Sequence, residues 1–116
     1  MEPQAVLNSV RLEFPSLSQN VNFARVVAAA FAAQLDFSLD EIEELKLAVS
    51  EAVTNAVAHA YPGGTGPVIM ELSILPEGAL EVVVLDRGRG IADLAGALEP
   101  GATSQPEEHL GLGFTF

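Results

Sequence analysis

The sequence predicts an α+β domain in two layers, with helices on one face of a mixed, mainly antiparallel sheet. Three observations carry this. Apolar residues recur at threes and fours over two long stretches, 19–35 and 38–60. They alternate or run together over three short stretches, 10–14, 68–75 and 80–85. The resulting order is strand, helix, helix, strand, strand, which segregates helices from sheet and lacks the βαβ alternation of a parallel fold.

The elements follow in chain order. Residues 1–8 give no pattern. Val10-Arg11-Leu12-Glu13-Phe14 alternates apolar and polar as a half-buried strand does, and Pro15 closes it. Ser16 or Ser18 offers a hydroxyl cap to a helix expected over Gln19–Leu35. Val21, Phe23, Ala24, Val26, Val27, Ala30, Phe31 and Leu35 make that helix apolar on most sides. Such a helix is buried on more than one side, here against the core and in part against a partner.

Asp36-Phe37 leads into SLDEIEELKLAVSEAVTNAVAHA, residues 38–60, the longest periodic stretch. Ser38 with Glu41 three residues on has the form of a capping box. Ile42, Leu45, Val49, Ala52, Val53 and Ala56 form a core-facing stripe. Pro62-Gly63-Gly64 stops the helix, because proline cannot continue it and glycine permits the reversal.

Val68 to Leu75 places Val68, Met70, Leu72 and Ile74 on one face. Leu80 to Leu85 is almost continuously apolar, as in a strand covered on both faces. Pro76-Glu77-Gly78-Ala79 joins the two as a hairpin turn. A short helix is expected near 92–98 within a loop, and Leu110 to Phe116 as a glycine-rich turn into another element.

Composition bounds the function. At 116 residues the chain is a single domain, 1–116, with room for a real core. No run approaches the roughly 20 apolar residues of a membrane span. There is no signal-peptide pattern and no cysteine, which suits a cytoplasmic protein with no disulfide framework or thiolate metal site. The net charge is −11, with five Lys or Arg. Nucleic-acid affinity depends on neutralising phosphates, so direct DNA or RNA binding is not expected. An acidic surface suits a basic protein partner, or simply keeps a small apolar domain in solution.

Three motifs carry chemistry. Glu51, Asn55 and His59 stand four apart and share a polar stripe of the long helix. A carboxamide at Asn55 suits a hydrated Mg²⁺ that takes its remaining ligands from phosphates and water. A carboxylate one turn earlier, at Glu51, can accept a proton from an attacking hydroxyl. The bland alternative is a solvated helix face. His59 reads as a residue of the helix end. Asp86-x-Gly88-x-Gly90 follows a strand directly. A carboxylate there can accept a hydrogen bond from an exocyclic amine, and the glycines let a flat ring approach the backbone. The bland alternative is a tight turn, with Arg87 and Arg89 solvating it. Gly111-x-Gly113, if it opens a helix, exposes N–H groups that favour anions, though two glycines alone are common in loops. A Walker A sequence is absent.

The order and spacing of these motifs are more specific than any one of them. Glu-x-x-x-Asn on a helix, a hairpin, Asp-x-Gly-x-Gly-Ile, a variable loop and Gly-x-Gly resemble the GHKL ATPase superfamily and its Bergerat fold. SEAVTNAVAHAYP with NFARVVAAAFAAQLD is similar to the anti-sigma factor serine kinases of sporulating bacteria within it. The likeness runs from about Val10 to Phe116. It implies Glu51 as general base, Asn55 as Mg²⁺ ligand, and Asp86 with Gly88, Gly90 and Ile91 as the adenine pocket. It implies phosphate binding by Gly111 and Gly113, an ATP lid over about 92–110, and Arg25 as a partner contact. His109 stands where the family has a basic residue facing the phosphates. The implied activity is Mg-ATP-dependent phosphorylation of a serine on an anti-anti-sigma factor, by a homodimer that also sequesters a sigma factor. A histidine-kinase catalytic domain and a non-catalytic sigma-binding module are the alternatives. Family members continue past Gly-x-Gly with a helix and strands, so the fold as read here lacks its C-terminal elements. An exposed edge ending Phe-Thr-Phe would aggregate, which makes a longer natural chain the expectation.

Overall fold

The computed structural model describes residues 5–88 and 110–116. Six elements occur in the order β1 (Asn8–Pro15), α1 (Gln19–Ala32), α2 (Leu39–His59), β2 (Pro67–Ile74), β3 (Leu80–Asp86) and β4 (Leu110–Thr115). The strands form one sheet in sequence order, β1-β2-β3-β4. All three ladders are antiparallel, so no parallel pair lies among the described residues. The predicted α+β arrangement stands, and the expected short helix at 92–98 and the loop around it lie outside the described residues.

Register decides what faces the core. Val10 pairs with Leu72, Leu72 with Val82, and Val82 with Phe114. The next row on the same face runs Leu12, Met70, Val84, and the one after it Phe14, Val68, Asp86. Side chains alternate across a strand, so this face collects Val68, Met70, Leu72, Ile74, Leu80, Val82 and Val84, all buried. The opposite face carries the Arg11–Glu71 ion pair, half exposed and worth little to stability. Ile69 on that face is fully buried, while Val83 and Leu85 are half-buried and Glu81 is exposed. The expectation that β3 is covered on both faces therefore holds only in part.

Helix α2 has the capping box the sequence spells. Ser38 Oγ accepts the Glu41 N–H at 3.1 Å, and the Glu41 carboxylate accepts the Ser38 N–H at 2.7 Å. Leu45, Val49, Ala52, Val53 and Ala56 are buried beneath it, and Ile42 packs at the edge. Full burial of a leucine or valine contributes about 1.5–3 kcal/mol each, so this stripe fixes the helix's rotation. Gly63 turns the chain back with φ +78°. In the hairpin, Gly78 takes φ +89° and gives its N–H to Leu75.

Helix α1 buries Ala24, Ala28 and Ala32, one side of small residues that lets it lie close to the core. It ends at Ala32, a turn before the expected Leu35. Neither serine caps it: Ser18 occupies the N-cap position with helical backbone angles and makes no side-chain cap. Ser16 is instead buried and ties two distant segments together. Its Oγ accepts the Gly66 N–H at 3.1 Å, and its N–H donates to the Gly66 carbonyl at 2.9 Å.

The last segment also differs from expectation. Leu110 to Thr115 is a strand, not a glycine-rich turn. The stretch Leu-Gly-Leu-Gly-Phe has a period of two, and Phe114 packs at the edge of the core. That periodicity outweighs the turn preference of two glycines.

Candidate functional site

Burial of one side of α2 forces its other side outward. Glu51 and Asn55 are exposed there, about 6 Å apart along the axis, as a spacing of four residues requires. With Ser50 and Thr54 they line an open depression of about 320 Å³. Ser50 Oγ is buried there without a hydrogen-bond partner among the described residues. His59, the last residue of α2, is exposed at the helix end.

Asp86 ends β3 on the core face, 2 % exposed, in the row of Phe14 and Val68. A buried carboxylate must be hydrogen-bonded, and this one accepts the Gly88 N–H at 3.0 Å. Gly88 is buried and pressed against the end of α2. A β-carbon there would lie 1.8 Å from the Ala60 carbonyl oxygen. The carboxylate turn and the polar helix face are thus joined through Ala60, at the end of the same helix.

Two residues of this assembly have no place in the sequence-based site. Tyr61 follows Ala60 and gives its hydroxyl proton to the Pro67 carbonyl at 2.6 Å, while accepting the Arg87 N–H at 2.8 Å. Burial raises its pKa above the usual tyrosine value, with the Arg87 N–H opposing and the Asp86 charge adding to the rise. Ser16 holds the 62–67 loop from the side of β1. The signal for Tyr61 was present: it is the only tyrosine in the sequence and it stands directly before the Pro62-Gly63-Gly64 stop of the long helix. Nothing in the local pattern marks Ser16, whose partner is 50 residues away.

The third motif takes a different form from the one expected. Gly111 and Gly113 lie in β4, opposite Leu85 and Val83, and not at a helix N-terminus. Register still brings Leu110 opposite Asp86, so the strand passes beside the carboxylate turn. Gly90, Ile91 and His109 lie outside the described residues, as does the expected lid up to residue 109.

Arg25 belongs to a separate surface on α1. Its Nη2 donates to Asn22 Oδ1, and its Nε is buried without a partner among the described residues. Phe23 and Val26 beside it are 49 % and 53 % exposed.

Comparison with known proteins agrees with this geometry. Residues 14–116 match the family model described as the histidine kinase-like ATPase domain. An anti-sigma F factor of Geobacillus sp. (strain WCH70) is 44 % identical over 109 residues, 93 % of this chain and 75 % of that protein. Anti-sigma F factors of Bacillus thuringiensis (strain Al Hakam) and Bacillus mycoides (strain KBAB4) are each 47 % identical over the same shares. With the match running from the end of β1 through β4, and with the polar helix face and the carboxylate turn both inside it, the chain belongs to the histidine kinase-like ATPase domain family.

Proposed function

We propose that this protein is an anti-sigma factor that binds ATP and Mg²⁺ and phosphorylates a serine of an anti-anti-sigma factor. The observation that carries the reading is the junction of two halves through one helix. The exposed Glu51–Asn55 face belongs to α2, and Gly88 of the buried Asp86–Gly88 turn packs against Ala60, which ends that helix. The residues suit a nucleotide: a buried carboxylate at a strand end and an open depression lined by Glu51 and Asn55.

Asp86 would accept the exocyclic amine of adenine, and Gly88, whose β-carbon position the Ala60 carbonyl fills, would hold the turn that carries Asp86 against the end of α2. Gly90 and Ile91 would continue that pocket. Asn55 would ligate Mg²⁺. Among the described residues no group of three or more His, Asp or Glu side chains could hold a metal, so phosphates and water would complete its shell. Bound Mg-ATP would supply the phosphoryl group and neutralise its charge. Glu51 would hold the serine hydroxyl and take its proton. The family resemblance adds phosphate contacts by His109, Gly111 and Gly113, although β4 sets Gly111 and Gly113 opposite Leu85 and Val83, on the sheet face away from Asp86.

The protein partners would meet α1. Phe23 and Val26 present exposed apolar surface beside the half-buried Arg25 guanidinium. The relatives' name points to a sigma factor of the sigma-F kind as the sequestered partner. The resemblance adds homodimer formation. Among the described residues no helix is long and apolar enough to cross a membrane.

Calorimetric titration with ATP, with and without Mg²⁺, tests the site in wild type and Asn55→Ala. Binding that Mg²⁺ strengthens in wild type and not in Asn55→Ala is the expected result. A folded wild type that binds no ATP would overturn the reading.

A further inference from the structure

Tyr61 sits where three segments of the candidate site converge. Its backbone follows the last turn of α2. Its hydroxyl reaches Pro67, the first residue of β2, and Arg87, the residue after β3. Its ring fills the space between two glycines. A β-carbon on Gly66 would fall 2.4 Å from the ring's Cε1, and one on Gly88 would fall 2.9 Å from Cδ1. Ser16 holds Gly66 from the far side with two hydrogen bonds. The ring is therefore backed by fixed backbone, and the hydroxyl makes one bond as donor and one as acceptor.

Arg87 is the middle residue of the Asp86-Arg87-Gly88 turn. Its N–H points to Tyr61, while the next N–H, of Gly88, points to the Asp86 carboxylate. Two successive N–H groups are thus fixed by two side chains. Together they leave the turn little freedom, and the carboxylate's direction depends on that turn. We infer that Tyr61 is a positioning residue for base recognition: its hydroxyl holds the Asp86–Gly88 turn in the conformation that accepts adenine. The inference rests on the reading of Asp86 as the adenine-binding residue.

The role makes a distinctive demand on the affinity pattern. Loss of the hydroxyl would loosen the turn, so the base should lose affinity and the phosphates should not. One net hydrogen bond contributes about 1 kcal/mol, equivalent to about fivefold in affinity. Tyr61→Phe keeps the ring packing against Gly66 and Gly88 and removes only the hydroxyl. A merely structural tyrosine would lower the melting temperature of this variant without changing its preference between bases.

Equilibrium titrations with ATP, GTP and inorganic tripolyphosphate test this in wild type, Tyr61→Phe and Asp86→Asn. The expected result is ATP binding about fivefold weaker in Tyr61→Phe, a smaller ATP-over-GTP preference, and unchanged tripolyphosphate binding. If Asp86→Asn lowers ATP affinity and preference while Tyr61→Phe matches wild type, the inference alone falls. If Asp86→Asn binds ATP as wild type does, the adenine reading falls and the inference with it. A second measurement needs no variant. Because Tyr61 is the only tyrosine of the sequence, 3-fluorotyrosine incorporation places one fluorine label within it. Its resonance should move when ATP is added and stay put with tripolyphosphate, and no movement with ATP would overturn the role.

Discussion

Gly88 gives its backbone N–H to the Asp86 carboxylate at 3.0 Å, and that bond holds only because nothing larger than hydrogen stands on the Gly88 α-carbon. The Ala60 carbonyl occupies the place of a β-carbon, 1.8 Å away. Gly88 is thus fixed from two directions, by the carboxylate before it in the chain and by the end of α2. The catalytic face proposed for α2 inherits its position relative to the turn from this contact.

Gly88→Ala should destabilise the fold by about 2 kcal/mol or more, since the new methyl group must displace backbone and not a flexible side chain. Gly64→Ala is the control. No atom lies within 4 Å of a β-carbon there, and the change should stay within about 0.5 kcal/mol. Denaturant unfolding of both variants measures the difference. Equal effects would mean that the Ala60–Gly88 approach does not limit the packing.

Glu51→Ala separates chemistry from folding and from binding. The side chain is exposed, so stability should change by no more than about 0.5 kcal/mol. A general base contributes on the order of 10²–10⁴ in rate, so single-turnover transfer to the partner serine should fall by at least about a hundredfold. ATP affinity should stay near the wild-type value. Retained transfer at the wild-type rate would remove Glu51 from the mechanism.

How far the sequence foretells this arrangement depends on how local each signal is. The Ser38–Glu41 box and the buried stripe from Leu45 to Ala56 are written within single turns of α2, and both appear as read. Asp86 was legible because a carboxylate directly after an apolar strand is conspicuous. Ser16 looked like a cap because caps are local, but its bonds go to Gly66, across 50 residues. Tyr61 likewise acts on Pro67 and Arg87, whose proximity arises only when β2 and β3 pair through Val68 and Asp86. Gly111 and Gly113 suggest a turn by type, but the two-residue period around them belongs to a strand.

Tyr61 also predicts an alkaline limit. Its hydroxyl titrates near 10.0 in an unfolded chain, and burial moves it higher in the fold. Above the unfolded value the unfolded state holds fewer protons than the folded one, so stability falls as pH rises. This contribution is complete below pH 10.0 and is lost as pH passes the folded value. Tyr61→Phe has no such proton. Between about pH 9 and 12 its unfolding free energy should decline less steeply than that of wild type, both measured by denaturant titration. Parallel declines would show that the half-buried hydroxyl does not oppose ionisation.

The last prediction concerns α1, where core and surface sit on adjacent residues. Ala24 and Ala28 are fully buried, while Phe23 and Val26 are about half exposed. Aromatic residues and arginine dominate binding energies at protein interfaces, and here Phe23 and Arg25 lie within one turn. Arg25 also holds its Nη2 on Asn22 Oδ1, which fixes the guanidinium beside the exposed Phe23 and Val26. Phe23→Ser with Val26→Ser, and separately Arg25→Ala, should each weaken sigma-factor binding by about tenfold or more. ATP affinity should not change, because Glu51, Asn55 and Asp86 lie on other elements. Ala28→Leu is the contrast. It would force three extra carbons between α1 and the core, cost about 1–3 kcal/mol, and shift the unfolding transition of the whole domain. Sigma-factor binding that survives both surface variants would place the partner elsewhere on the molecule.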